Sequence, residues 1–148
     1  MALNFLSAME TASSGLSAQR FRMNIISENI ANAQTTRTPE GGPYRRRDVV
    51  LGALPKQRSF EEELRSQGDA VDPLHVKVLG VNVDSRPPIL KYDPTHPDAN
   101  EEGYVAMPNI NPMEEMANLM LSTRSYEANV AAFNAAKTMA MKALEIGR

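Results

Sequence analysis

The chain reads as an α+β protein, in which two long terminal α-helices form a coiled-coil-like pair and a small β-rich insert lies between them. Three observations predict this. Apolar residues recur at alternating spacings of three and four at both ends of the chain. The second of these stretches carries helix-capping residues at both of its ends. The middle consists of short runs of apolar and β-branched residues, separated by Pro and Gly. The expected units are residues 1–34 (helix), 35–110 (β-rich middle and loops) and 111–148 (helix).

The C-terminal stretch is the clearer helix. Asn111 suits the N-cap, because its side-chain oxygen accepts an orphan backbone N–H. Pro112 follows at the first helical position, where a missing N–H costs nothing. Glu114, three residues after Asn111, fits a capping box. Glu114 and Glu115 also place negative charge at the positive end of the helix dipole. Lys142 and Arg148 favour the opposite end, and Gly147 suits a left-handed C′ residue. A helix of this length spans roughly 50 Å. Met116, Leu119, Thr123, Tyr126, Val130, Phe133, Lys137, Ala140 and Leu144 alternate by three and four, as a coiled-coil seam does. Lys137 interrupts it. Ala128, Ala131, Ala132, Ala135, Ala136 and Ala143 flank the seam and let other helices approach closely. The blander alternative is an ordinary amphipathic helix covering a core.

Residues 3–32 form the second helix. Phe5, Met9, Ala12, Leu16, Gln19, Met23, Ile26 and Ile30 step by four and three. Ser7 with Glu10 offers a capping box, so the ordered start is placed at Ser7 or at Leu3. Gly15 is a weak point, since Gly inside a helix costs about 1 kcal/mol relative to Ala. The helix fades between Asn29 and Ala33. Neither seam can be buried alone. The two helices therefore pair with each other, antiparallel or parallel, or pack against copies in other subunits. Leu6, Ile25, Met120, Leu121 and Met139 lie off the seams, and a helix apolar beyond one stripe is usually covered on several sides.

Between the helices, residues 35–44 are irregular, with Pro39 and Gly41-Gly42-Pro43. Arg45-Arg46-Arg47 leads into a short strand at residues 48–51. The triplet reads either as a surface for an acidic partner or as a solvated strand end. Residues 56–67 fit a short helix or a charged loop. Residues 75–84 alternate like a half-buried strand, and Arg86-Pro87-Pro88 ends it. Residues 89–92 and 104–107 are two further short strands, joined by a loop over 93–102. So few strands make a unit of low independent stability.

Composition narrows the function. The 148 residues are 42% hydrophobic but only 5% aromatic, with nine Met and no Trp. Such a core is adaptable rather than tightly specified. The net charge of −2 argues against a general nucleic-acid binder. The absence of Cys excludes disulfides and thiolate chemistry. No apolar run reaches the length of a membrane span. No secretory leader with a cleavage site is evident at the start, so the default location is cytoplasmic unless another export route applies. No catalytic, cofactor-binding or metal constellation emerges. His75 stands in a strand pattern with no second His nearby. Asp93, His96 and Asp98 are close in sequence, but two Pro and the wrong spacing favour a structural loop over a metal site. Ser and Thr lack an associated His/Asp arrangement. Gly41-Gly42 precedes no helix or P-loop Lys and reads as a turn.

Several motifs do carry a resemblance. These are Ser27-Glu28-Asn29-Ile30-Ala31-Asn32-Ala33, Gly41-Gly42-Pro43-Tyr44-Arg45-Arg46, Tyr92-Asp93-Pro94-Thr95-His96-Pro97-Asp98-Ala99, Gly103-Tyr104-Val105-Ala106-Met107-Pro108-Asn109 and Ser125-Tyr126-Glu127-Ala128-Asn129-Val130. In this order, over essentially the whole chain, they resemble the FlgC family of flagellar basal-body rod proteins, within the wider rod and hook axial proteins. Gln34 departs from the pattern, where the family often has Asn. The resemblance marks Asn29, Asn32, Gly42, Pro43, Tyr44, Pro94, Pro97, Gly103, Tyr104, Tyr126 and Asn129 as family positions.

The resemblance implies a non-enzymatic structural role in the proximal rod, the shaft that crosses the periplasm. It implies helical stacking, with residues 1–34 and 111–148 in the inner core and the middle facing outward. It implies export by the flagellar type III apparatus without a cleaved leader, and no cofactor. Neighbours would be FliE, FlgB, FlgF and further copies of the chain, with the membrane ring in reach. On this reading the assembly seam is Met9, Leu16, Met23, Ile26, Ile30, Met116, Leu119, Tyr126, Val130, Phe133 and Leu144, and the two ends order only on assembly. Two alternatives stand beside it. One is a cytoplasmic coiled-coil adaptor or export chaperone. The other is a small metal-dependent hydrolase using Asp93, His96 and Asp98.

Overall fold

The computed structural model describes residues 5–55 and 74–146. The element order is α1 (Phe5–Ala31), β1 (Arg47–Pro55), β2 (Leu74–Val83), β3 (Ile89–Tyr92), β4 (Tyr104–Met107) and α2 (Pro112–Ile146). This is the expected α+β arrangement of two long helices around a small β insert. Residues 56–67, expected as a helix or charged loop, lie outside the described residues, as do Gly147 and Arg148.

α1 is already helical at Phe5, so Ser7 lies inside it rather than at its cap. α1 ends at Ala31, where Asn32 turns its side-chain amide back onto the Glu28 carbonyl, 2.9 Å away. α2 starts as its residues dictate. The Met113 N–H donates to Asn111 Oδ1 at 3.1 Å, and the Glu115 N–H donates to the Asn111 carbonyl. Between the helices, Gly41 and Gly42 hold positive φ in a turn closed by the Thr38 N–H on the Gly42 carbonyl. Only residues tolerant of that backbone region fit there.

The helices run antiparallel. Asn29 near the end of α1 meets Glu115 at the start of α2, the Thr123 hydroxyl reaches Met23 Sδ, and Gly15 lies against Asn129. α1 is the central element. It packs on α2 along one side and on the β1–β2 ribbon along another, whereas α2 touches α1 alone among the described elements. The Val76 N–H donates to Ser14 Oγ at 3.1 Å, tying β2 to α1.

β1 and β2 pair antiparallel from Arg47↔Val83 to Pro55↔Leu74, with a register shift after Val50. The shift leaves Leu79 as the extra residue on β2, and its side chain folds over Gly52, where a Cβ would come within 2.6 Å of it. β3 and β4 form a second antiparallel ribbon, Ile89↔Met107 to Tyr92↔Tyr104. The Thr36 hydroxyl, donating to Asp98 at 2.7 Å, fastens the loop after α1 to the loop between β3 and β4. Among the described residues the buried apolar ones are Ala12, Ala18, Ile25, Ile26, Val49, Val105, Ile110 and Ala136, none of them aromatic.

Candidate assembly surface

The junction where α1 ends and α2 begins is polar and closed. Asn29 is fully buried. Its Nδ2 donates to the Arg47 carbonyl at 2.8 Å and to Glu115 Oε2 at 3.0 Å. Its Oδ1 accepts from the Arg47 N–H at 3.0 Å and from the Tyr44 hydroxyl at 3.2 Å. Both donor hydrogens and both acceptor lone pairs of the amide are thus used. Glu115, 1% exposed, also accepts from Arg46 Nε at 2.8 Å. A second Arg46 nitrogen lies 2.8 Å from the same oxygen. A buried carboxylate needs such a partner, because an unpaired buried charge is strongly destabilising. Arg47 lies over the Tyr44 ring at 5.6 Å and 3.6 Å from Glu28. Burial raises the Tyr44 phenol above its ordinary pKa, and the Arg47 charge partly opposes that. Of the basic triplet, Arg46 and Arg47 are therefore engaged within the molecule, and Arg45 is exposed.

The inward face of α2 carries Glu115, Leu119, Ser122, Tyr126, Asn129, Phe133, Ala136 and Ala140, all buried or half-buried. Of the expected seam, Leu119, Tyr126, Val130 and Phe133 are half-buried, while Met116 and Leu144 are exposed. The positions one residue earlier than the seam's Met116, Thr123, Val130 and Lys137 are Glu115, Ser122, Asn129 and Ala136, a seven-residue repeat of polar and small side chains. Small side chains bring the helix axes close. A Cβ on Gly15 would sit 3.0 Å from the Asn129 amide. On α1, Ile26 is buried and Met9, Leu16, Met23 and Ile30 are half-buried. The far flank of α2 exposes Met113, Met116 and Met120, and Leu121, Met139, Met141 and Leu144 are exposed as well.

The family positions form four groups. Asn29 and Tyr44 belong to the buried junction. Asn32, Gly42 and Pro43 shape the loop after α1, where Asn32 Oδ1 accepts from the Thr35 hydroxyl at 3.1 Å. Pro94, Gly103 and Tyr104 build the tip of the second ribbon: Gly103 has φ 81°, and a Cβ there would press on Tyr92 and Pro94. The Tyr92 and Tyr104 rings meet edge to face at 5.3 Å. Pro97 is exposed in the same loop, and Tyr126 and Asn129 lie on the inward face of α2. Within that loop the Thr95 hydroxyl donates to Asp93 at 2.8 Å, and the Asp98 N–H donates to His96 Nδ1 at 3.1 Å. The first of these bonds holds the Asp93 carboxyl below its ordinary pKa. These are turn-forming hydrogen bonds. Among the described residues no group of three or more His, Cys, Asp or Glu side chains gathers as a metal site would.

Sequence reasoning read Glu115 as a charge complementing the helix dipole, Arg46 as part of a basic triplet and Gly15 as a weak point, and missed that Arg46 pairs with a buried Glu115 and that Gly15 packs on Asn129. The polar seven-residue repeat beginning at Glu115 is the signal that could have found the first.

Comparison with known proteins agrees with this arrangement. A family model described as "Flagella basal body rod protein" matches residues 9–37, and one described as "Flagellar basal body rod FlgEFG protein C-terminal" matches residues 101–146. The two matches cover most of α1 and all of α2. The chain is 49% identical to a flagellar basal-body rod protein FlgC of Bacillus subtilis strain 168, over 95% of this chain and 97% of the relative. It is 39% identical to the FlgC of Borreliella burgdorferi, covering 97% and 98%, and 37% identical to that of Salmonella typhimurium, with the same coverage. Identity at this level over nearly the full length of both proteins shows that the chain belongs to the FlgC family of flagellar basal-body rod proteins.

Proposed function

We propose that this chain is a structural, non-catalytic subunit of the flagellar basal-body rod, where it stacks with other rod proteins and transmits torque across the periplasm. The observation that carries this reading is the exposed apolar flank of α2. Met113, Met116 and Met120 face away from α1, and no other described element covers them. Each square ångström of such surface removed from water contributes about 25 cal/mol, so neighbours that cover it gain appreciably. Torque also calls for subunits joined by many contacts along long elements rather than by one hinge.

In this reading residues 1–34 and 111–148 form the inner core of the rod, and residues 35–110 form the outward unit. Met9, Leu16, Met23, Ile26 and Ile30 of α1, with Leu119, Tyr126, Val130 and Phe133 of α2, hold the helix pair. Met116 and Leu144 are left for neighbouring subunits. Those neighbours are copies of the chain together with FlgB, FlgF and FliE, with the membrane ring within reach. Delivery is by the flagellar export apparatus without cleavage. The family positions keep the shape of the junction and the ribbon tip.

The test is incorporation. The chain, carrying a small epitope in the loop between β3 and β4, is expressed in a flagellated bacterium lacking its own relative, and basal bodies are purified. Restored motility with label in the rod supports the reading. A soluble discrete oligomer in the cytoplasm, with no label in basal bodies, would overturn it in favour of an adaptor. N-terminal sequencing of the incorporated protein checks the export route.

A further inference from the structure

The helix pair is closed at two levels and open between them. Asn29 meets Glu115 at the junction, and Gly15 lies against Asn129 further along. Midway between these levels, about two turns from each, Arg22 of α1 stands level with Ser122 of α2. The Thr123 hydroxyl on Met23 Sδ at 3.6 Å marks the same level. Here a pocket of about 210 Å³ lies between the two helices and the start of β1. Its polar lining includes Arg22, Arg46, Asp48, Asn118, Ser122 and Ser125.

Three of these side chains carry donors with nothing to meet. Arg22 and Asn118 are half-buried, and Ser122 is 5% exposed. Among the described residues none of the three makes a side-chain hydrogen bond or an ion pair. The Ser122 hydroxyl is not sealed off, because the unpaired side-chain atoms without accessible surface are Gln19 Oε1 and His75 Nε2. The other charges at the pocket are already engaged. Arg46 lies 2.8 Å from Glu115, and Asp48 accepts from the Val49 N–H at 2.9 Å and turns a 58% exposed side chain outward. Ser125 donates to the Leu121 carbonyl at 2.9 Å. Arg22 is therefore the charge without a counter-charge. A guanidinium offers only donors, and the Asn118 amide and Ser122 hydroxyl add more, so the fitting ligand brings negatively charged acceptor oxygens. Buried polar groups are rarely left without a partner, and a group that lacks one in the protein calls for a bound water or ion.

We propose that this pocket holds a small oxyanion, a carboxylate or a phosphate group. The Arg22 fork takes two of its oxygens, as guanidinium does with planar and tetrahedral oxyanions alike. Asn118 and Ser122 donate to it from α2. The ligand thereby ties α1 to α2 at the open level, as Asn29 and Glu115 tie them at the junction. Because it binds the folded chain, it stabilises that state by mass action. The inference concerns the free chain and does not depend on the rod reading.

Thermal unfolding of the purified full chain tests this in sodium phosphate, sodium acetate and sodium chloride, at neutral pH and matched ionic strength. A saturable rise in melting temperature in phosphate or acetate over chloride is expected, and the probe that gives it identifies the oxyanion. Arg22→Gln should weaken the apparent affinity about tenfold, and Arg22→Lys should keep part of it. Ser122→Ala removes a hydroxyl that has no protein partner. It should leave the melting temperature in chloride unchanged and weaken binding about threefold. If Arg22→Gln does not fold, Ser122→Ala decides alone. An equal rise in the parent and in the deciding variant marks a general salt effect and overturns the site. No rise in either anion shows that water alone fills the pocket, and that overturns it as well.

Discussion

Asn29 and Glu115 meet side chain to side chain at 3.0 Å although 86 residues separate them in the sequence. Through them the end of α1, the strand start at Arg47 and the first turn of α2 become one unit. Removing the Asn29 amide strands the Arg47 N–H, the Tyr44 hydroxyl and one Glu115 oxygen at once. Leaving buried groups unsatisfied costs about 1–3 kcal/mol each, more for a charged one. Asn29→Ala is therefore expected to destabilise the chain by about 3 kcal/mol, and Asn29→Asp by at least as much, since a second carboxylate would face Glu115. Thermal unfolding followed by circular dichroism checks this. A melting temperature within a degree of the parent would show that the junction holds by other means.

Gly15 tests the helix–helix approach. Ala there gains about 1 kcal/mol of helix propensity but presses on the Asn129 side chain. The two effects oppose, so Gly15→Ala should change stability by under about 1 kcal/mol. Combined with Asn129→Ala it should stabilise by about 1 kcal/mol, because the gain remains and the clash is gone. Gly15→Leu should cost about 2–3 kcal/mol through overpacking. Additive single effects in the double-mutant cycle would contradict the contact.

The two flanks of α2 should respond differently. Tyr126→Ala and Leu119→Asp lie on the half-buried face toward α1, so they weaken the helix pair as well as assembly, while the β1–β2 ribbon survives. Met116→Asp and Met120→Asp lie on exposed positions. They should leave the free chain's spectrum unchanged and still abolish rod formation. Normal rods from the second pair would place that flank toward solvent in the assembly.

Hydrogen exchange should be graded along α2 in the free chain. Amides near Glu115 and Ser122 are slowed by the buried junction, and amides beyond Lys137 exchange fast and slow only on assembly. Uniformly slow exchange over the whole of α2 in the monomer would contradict ordering of the ends by neighbours.

Acid should loosen the β-rich middle. A hydrogen bond from the Arg86 side chain holds Asp84 below its ordinary pKa of 3.8, and the Thr95 hydroxyl does the same for Asp93. A folded pKa below the unfolded one means that the stabilisation is present above the unfolded value and is lost as pH falls through the folded one. Asp84→Asn should therefore lower the melting temperature at neutral pH and reduce its decline below about pH 4. An unaltered pH profile would show that the Asp84–Arg86 pair contributes nothing.

The sequence by itself determined the elements. Asn111-Pro112 dictates where α2 begins, Asn32 ends α1, Gly41-Gly42 makes the turn, and the two short strands at residues 89–92 and 104–107 lie where short runs bounded by Pro and Gly placed them. These features are local, because a cap or a positive φ depends on a few neighbouring atoms. The tertiary structure alone decided which face of α2 turns inward. Met116 outranks Glu115 on any hydropathy scale, yet Glu115 is the buried one, because Arg46 and Asn29 arrive there from distant parts of the chain to satisfy its charge. Gly15 likewise reads as a flaw in an isolated helix and becomes a point of close approach once Asn129 packs on it. Burial of a charge or a bare backbone is favourable only with its partner in place, and that partner is set by the fold rather than by adjacent residues.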